Sequence, residues 1–309
     1  MLRPGRQNGL RVCHKVAIRL YYYKGRNFGD ALSPKLVERL SGKTVRYSHI
    51  RHAQMAAVGS ILFSGSSLFL DRKRLFSAYG AGKLFMKAVD AAMPVLRIWG
   101  SGLLSDDMVA DAIGVRKAEA CALRGKHTRD VLERVGVVSC DQAKHIPLGD
   151  PGLLYPELLN EMPAKRYDIG IVLHASDREY GNALSAEFDR YGLKTCMVDV
   201  LQNDPLNAVK EIGECGKIVS SSLHGLVVAD SLGIPSRHIV LSNLGQSPDE
   251  VLFKFNDYYS AFGIEDLPIS VSAANISGRA LWNAVPRVPR VATSLVEQVK
   301  AELKESFPL

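Results

Sequence analysis

Residues 217–235, KIVSSSLHGLVVADSLGIP, decide how this chain is read. Lys217, Ile218 and Val219 make a short β-rich run. Three serines, Ser220, Ser221 and Ser222, lead into Leu223-His224-Gly225. Leu226, Val227, Ala229 and Leu232 then recur at helical spacing. Gly233 and Pro235 are helix stop signals. The segment is therefore predicted as strand, tight turn and helix, with His224 at the turn. Such a turn aims free backbone N–H groups and the positive end of a helix dipole at one spot, which suits a phosphate or carboxylate. An ordinary βα turn, with capping serines and a structural histidine, fits the same letters.

Working outward, the same alternation recurs. Residues 15–23 read as a first strand that runs into Lys24-Gly25-Arg26-Asn27-Phe28-Gly29-Asp30. Ser33-Pro34 reads as the opening of a helix, striped by Leu36, Val37 and Leu40 and closed by Gly42. Asn27, Gly29 and Asp30 thus fall in a loop at the carboxyl end of a strand, where open α/β sheets hold ligands. Further strands are expected at 44–48, 56–63, 95–99 and 119–123. The last ends in Arg124-Gly125-Lys126-His127, with Thr128 capping the next helix. Beyond Gly149-Asp150-Pro151 a proline-containing stretch, 155–165, marks a domain boundary. A second set follows: strands at 167–173 and 194–199, helices at 183–190 and 208–215, the 217–235 unit, and a strand at 237–241. Residues 252–263 are aromatic and mixed. The tail 295–307 is helical, with Ser294 and Glu297 as a capping box. Strands alternating with helices predict parallel sheets covered on both faces.

The 309 residues suit two domains at ~100–200 residues each. Hydrophobic residues are 47% and charged ones 23%, as in a globular chain with a proper core. The net charge is +7, and seven Lys/Arg precede Asp30, the first acidic residue. That bias suits anionic substrates or an anionic membrane surface. No basic run is dense or aromatic enough to favour nucleic acid. The five cysteines include no C-x-x-C, so reduced thiols in a cytosolic protein are expected. No leader-like apolar run of roughly 7–15 residues stands near the N-terminus. Residues 53–70 lack charge but carry four serines, two glycines and a glutamine, too polar for a membrane span. Gly80-Ala81-Gly82-Lys83 lacks the Ser/Thr of a P-loop, and Gly100-Ser101-Gly102 lacks the third glycine of a dinucleotide fingerprint. No Asp-x-Asp and no metal-spaced histidine cluster occurs, so neither a metal nor a cofactor is expected.

In order along the chain, Asn27-Phe28-Gly29-Asp30, Leu123-Arg124-Gly125, Leu148-Gly149-Asp150-Pro151 and Ser221-Ser222-Leu223-His224-Gly225 resemble the motifs of the polysaccharide pyruvyl transferase family. The turns Gly59-Ser60-Ile61-Leu62 and Trp99-Gly100-Ser101-Gly102, and the run Lys254-Phe255-Asn256-Asp257-Tyr258-Tyr259, are similar too. The resemblance implies an α/β fold of two Rossmann-like domains facing across a cleft, GT-B-like. The domains would be 1–155 on the acceptor side and 166–285 on the donor side, with a C-terminal helix in 286–309. It implies transfer of the pyruvyl group of phosphoenolpyruvate, as co-substrate, to a sugar of an exopolysaccharide repeat unit, forming a cyclic ketal. The acceptor would be a saccharide or lipid-linked oligosaccharide. The enzyme would work in the cytoplasm, in peripheral contact with the inner face of an anionic membrane.

Such a donor carries a phosphate and a carboxylate. Arg124 offers a planar fork for either, and the turn of Ser221, Ser222, Leu223, His224 and Gly225 offers N–H groups, hydroxyls and a ring. Arg124 and His224 are expected to converge on the donor. Ketal formation needs a proton at the enol CH₂ and a base for the attacking hydroxyl. His224 is a candidate acid or phosphate ligand. Asp30, with Asn27 and Gly29, is placed on the acceptor as candidate base, or else caps a turn. Asp150 reads as structural. A GT-B glycosyltransferase using a nucleotide sugar, and a non-catalytic carbohydrate-binding protein, remain alternatives.

Overall fold

The computed structural model describes residues 17–62, 69–71, 94–106, 112–114, 117–241, 248–272 and 277–309. Strands β1 (Ile18–Tyr21), β2 (Val45–Tyr47), β3 (Met55–Ala56), β4 (Leu96–Trp99) and β5 (Ala118–Ala122) form one sheet. Strands β6 (Tyr167–Val172), β7 (Thr195–Val198), β8 (Cys215–Ser220), β9 (Ser236–Leu241) and β10 (Ile269–Val271) form another. Every pairing within the two sheets is parallel. The orders are β2-β1-β3-β4-β5 and, read from the matching edge, β7-β6-β8-β9-β10. Both sheets therefore place their first strand between their second and third. The topological switch points, where the helical connections diverge, lie between β1 and β3 and between β6 and β8. A separate antiparallel pair joins Phe69–Asp71 to Ala112–Gly114.

The main helices are α1 (Phe28–Ser41), α2 (Lys126–Arg134), α3 (Gly181–Asp189), α4 (Pro205–Gly213), α5 (Leu223–Ser231), α6 (Pro248–Ser260) and α7 (Thr293–Glu305). Ile169, Ile171 and Val172 of the interior strand β6 are fully buried, as a strand covered on both faces requires. One apolar core runs through both units. It holds Ile18, Leu20, Phe28 and Trp99 of the first with Val172, Ile212 and Leu226 of the second. Where two domains facing across a cleft are expected, the units meet in contact here. Helix α6, between β9 and β10, and helix α7, after the second sheet, both reach back to the first unit: Asp257 of α6 pairs with Arg124, and Trp99 Nε1 donates to the Leu303 carbonyl of α7 at 2.9 Å.

Several boundaries differ from expectation for local reasons. Helix α1 starts at Phe28, capped by Asn27, whose side chain accepts from Gly29 N. Ser33-Pro34 lies inside the helix instead of opening it. Helix α2 starts after Gly125, and Thr128 sits within its first turn. The stretch around Tyr155 is a 3₁₀ helix, Pro151–Leu158, with Leu153, Leu154 and Tyr155 fully buried, while residues 157–165 are half-buried to exposed. Ala292 occupies the N-cap of α7 without a side-chain cap bond, and Glu297 pairs with Lys300, so the capping box does not form. The expected strand at 56–63 is reduced to β3, its end lying outside the described residues, as do 80–83. Among the described residues no helix is long and apolar enough to cross a membrane.

Candidate active site

The loops leaving the two switch points meet. After β1 the chain enters α1, which carries Asp30 in its first turn. After β8 it enters α5, which carries His224 in its first turn. The His224 ring lies against Gly29, where a side-chain carbon would collide with Nδ1. Gly29 thus permits a close approach, and what approaches is the histidine. Tyr155, from the 3₁₀ helix, donates its hydroxyl to the Gly29 carbonyl at 2.5 Å and fixes that turn. Phe28 and Tyr155 flank the ring, with centroids 6.2 and 6.3 Å away.

Asp150 caps the 3₁₀ helix, one carboxylate oxygen accepting from Gly152 N at 2.8 Å. To that extent it is structural, as expected. Its other oxygen faces His224 Nε2 at 3.8 Å, beyond hydrogen-bond reach. Both of these atoms are buried and neither has a hydrogen-bond partner. Buried polar atoms are nearly always satisfied, so this orphaned, facing pair makes the point between them the candidate site.

Asp30 is 8% exposed. Its carboxyl sits over Gly59, whose φ of 112° and missing side chain leave room for it. Burial, and then the nearby Asp150 charge, push its pKa up to about 7, against the opposing pull of Lys254. Asp30 is the third residue of α1, where the cap is Asn27, and its carboxylate accepts from its own backbone N–H. Burial holds the His224 pKa below its ordinary value; Asp150 opposes this, while Lys254 and Arg124 reinforce it.

At the start of α5, Ser220 Oγ donates to the Val172 carbonyl, and Ser221 Oγ donates to Asp177 at 2.5 Å. Ser222 is the N-cap but makes no side-chain cap bond. Among the described residues no acceptor takes the N–H of Leu223 or His224, whereas Gly225 N is bonded to the Ser222 carbonyl. Two donors are therefore left at the positive end of α5.

Arg124 stands differently from expectation. It is fully buried; Nε donates to Asp257 at 2.8 Å, and the other two nitrogens donate to Ser60 Oγ and the Leu103 carbonyl, each at 2.5 Å. Asp257 also accepts from the Thr128 N–H and hydroxyl, each at 2.7 Å. Ser260 accepts from Lys126 N. Helix α6 therefore caps α2 from outside, and Gly125 has no side chain because the Asp257 carbonyl occupies that space. An internal carboxylate holds the place expected for the anionic donor. Arg124 does approach His224 closely enough to affect its titration, but its guanidinium is not presented to a ligand.

The cation that sequence reasoning missed is Lys254, one turn before Asp257 on α6. It is half-buried, and burial, then the Arg124 charge, lower its pKa to about 8; Asp30 and Asp177 pull the other way. Asp177 and His174, at the end of β6, complete the surroundings. His174 titrates below its ordinary value through burial and then the Lys254 charge. Lys254 and Asp150 stand in runs that carry the resemblance, which is the signal that could have singled them out. Asp177 carried none. Among the described residues no three His, Cys, Asp or Glu side chains are grouped to hold a metal.

A family model for polysaccharide pyruvyl transferase matches residues 27–243, a span that contains Asp30, Arg124, Asp150 and His224 and stops short of Lys254. An uncharacterized protein of Acanthamoeba polyphaga mimivirus is 34% identical over 171 residues, 54% of this chain and 55% of that one. The chain thus spans about half the length of that curated relative. A solved structure, an uncharacterized protein of Klebsiella pneumoniae subsp. pneumoniae, aligns over 84% of this chain and 94% of its own at 14% identity and a TM-score of 0.38, too slight a likeness to bear on the fold. The family match covers most of the chain and contains the first turns of both α1 and α5, and on it this chain belongs to the polysaccharide pyruvyl transferase family.

Proposed function

We propose that the protein transfers the pyruvyl group of phosphoenolpyruvate to two hydroxyls of one sugar in a polysaccharide repeat unit, forming a cyclic ketal. The observation that carries this is the buried meeting of Asp30, Asp150 and His224 at the two switch points, with the open N–H groups of α5 and the charge of Lys254 beside it. One phosphoenolpyruvate and two hydroxyls give one ketal and one phosphate. Of the two hydroxyl protons, one ends on the enol CH₂, making it CH₃, and the other leaves with the phosphate. Asp30, titrating near neutrality, takes the proton of the first attacking hydroxyl. His224 carries a proton to the enol CH₂ once the donor's negative charge offsets the effect of burial. Lys254 and the Leu223 and His224 N–H groups hold phosphate and carboxylate and stabilise the departing charge. Asn27 and Gly29 shape the acceptor side; Ser221 and Ser222 belong to the donor side. Arg124 supports that side from behind.

This reading takes the two units as GT-B-like Rossmann domains, needs no metal or cofactor, and has a saccharide or lipid-linked oligosaccharide as acceptor. It places the work in the cytoplasm beside an anionic membrane face. Phosphate release from phosphoenolpyruvate, measured with a panel of oligosaccharides, tests it. Acceptor-dependent release, with thermal protection by phosphoenolpyruvate, is expected. Protection by nucleoside diphosphates alone, with no phosphate released by any acceptor, overturns it.

A further inference from the structure

Asp150 stands where the two units meet, and the chemistry above gives it no step. It is fully buried at the N-cap of the 3₁₀ helix. Oδ1 is committed to Gly152 N, and Oδ2 is left facing His224 Nε2 at 3.8 Å, each of these two atoms without a partner. The imidazole is held from both sides. A side-chain carbon at Gly29 would run into Nδ1, and one at Gly152 would come within 3.2 Å of Cδ2. Among the described residues nothing bonds Nδ1. Asp150 favours a charged ring, while Lys254 of α6 and Arg124, at the start of α2, disfavour one. Asp30 of α1 and Tyr155 of the 3₁₀ helix are the other titratable groups beside Asp150. Tyr155 stays neutral, because burial and then the charges of Asp150 and Asp30 hold its hydroxyl well above its ordinary value.

We infer that Asp150 is the positioning residue for His224: its Oδ2 accepts from Nε2–H, fixes the tautomer of the ring, and leaves Nδ1 as the nitrogen that carries the proton to the enol CH₂. A neutral imidazole has one N–H, and a carboxylate can only accept. Facing Oδ2, the proton of neutral His224 belongs on Nε2, and the second proton of the charged ring belongs on Nδ1. At 3.8 Å the bond is not made; catalytic hydrogen bonds are often long before substrate binds and tighten in the reacting complex. Transfer of the Nδ1 proton makes a C–H bond from the enol π pair and returns the ring to its neutral Nε2–H form. One of the two hydroxyl protons then recharges Nδ1, so the ring ends each turnover as it began. The proton's destination rests on the transferase reading above; the tautomer does not.

The test is Asp150→Asn. The asparagine oxygen can keep the cap on Gly152 N, which turns its NH₂ toward Nε2. Nε2 must then accept, so neutral His224 should switch to the Nδ1–H form. Long-range ¹H–¹⁵N NMR of the full chain with labelled histidine, at about pH 8 and without substrates, reads the tautomer. The His224 signal is the one lost in His224→Gln. The parent should show Nε2–H and the variant Nδ1–H. Single-turnover phosphate release should fall about 10²–10⁴-fold, the range for an acid–base group, with phosphoenolpyruvate affinity within a few-fold of the parent by calorimetry. Asp150→Ser keeps a capping oxygen and removes the carboxylate from Nε2, and should lose turnover with little change in melting temperature. A parent ring in the Nδ1–H form overturns the inference. So does an unchanged tautomer in Asp150→Asn, or a loss of turnover in both variants that follows their loss of melting temperature, which would make Asp150 a cap alone. The expected tautomers with no phosphate released by any acceptor would leave Asp150 as the residue that orients the ring and remove the transferase reading.

Discussion

Asp30→Asn should make the protein more stable and nearly inactive, and the size of the first effect follows from burial. In the unfolded chain the Asp30 carboxyl titrates near 3.8, and in the fold it titrates at about 7. Between those values the unfolded chain has lost the proton and the folded chain still holds it, so stability falls as pH rises. The loss is complete above about pH 7 and absent below the unfolded value. Each pH unit is worth about 1.4 kcal/mol, which gives at most about 4 kcal/mol. An asparagine never ionises, so it should melt several degrees above the parent at pH 8, and the difference should shrink to nothing toward pH 4. Turnover should fall roughly 10²–10⁴-fold, the usual range for an acid–base group. In the parent, kcat/KM should rise as Asp30 ionises at about pH 7 and fall as Lys254 deprotonates at about pH 8. The variant should lose the acidic limb. Calorimetric melting across pH and single-turnover rates measure both effects. A variant that melts lower than the parent at every pH, with turnover within a few-fold, would refute the argument and leave Asp30 a turn residue.

Other expectations can be checked with the same reagents. Arg124→Ala strands Asp257 as a buried, unpaired carboxylate and should cost about 3–5 kcal/mol in denaturant unfolding; unchanged stability with donor affinity alone reduced would return Arg124 to the ligand. Lys254→Met should weaken phosphoenolpyruvate binding about 10–100-fold, the worth of a charge-assisted hydrogen bond, with folding intact. Parent donor affinity should decline above about pH 8 and the variant's should not, read by titration calorimetry. Chelator should leave the phosphate-release rate unchanged; loss with chelator and recovery with a divalent ion would overturn the metal-free reading.

Much of the architecture was legible because parallel strands and their helices announce themselves by composition and by the residues that stop them. The 217–235 unit was read as strand, turn and helix, and β8 and α5 are there. Helix α1 was started late because Ser33-Pro34 imitates an opening, while the cap in use is Asn27. Helix α6 gave no stripe. Phe255, Tyr258 and Tyr259 are all fully buried, and a helix covered on several sides loses the apolar–polar alternation that marks one. In the site, Asp30 and His224 could be read from their places at strand ends. Arg124 occupies such a place too, but its partner is 133 positions away, and nothing local says that the anion beside it is supplied by the chain itself.

That internal anion also explains how the missed lysine is held. Lys254, Asp257 and Tyr258 lie at helical spacings of three and four, so they share one side of α6. Asp257 is bound to Arg124 and to the first turn of α2. Tyr258 donates to Asp230 at 3.0 Å, near the end of α5, the helix whose first turn carries His224. Phe255 stacks on His238 of β9 with centroids 3.7 Å apart. Helix α6 is thereby pinned to both units at once, and Lys254 is carried between the pins. A buried ion pair such as Arg124–Asp257 is weak evidence for stability, because desolvation consumes much of its attraction. Its value here is positional. Fixed dipoles and charges assist a reaction only if they need not reorganise as charge develops. With α6 clamped at Asp257 and Tyr258, the backbone that carries Lys254 is held in place, and on the proposed reading the binding energy of a small anion is not spent on closing the helix over it.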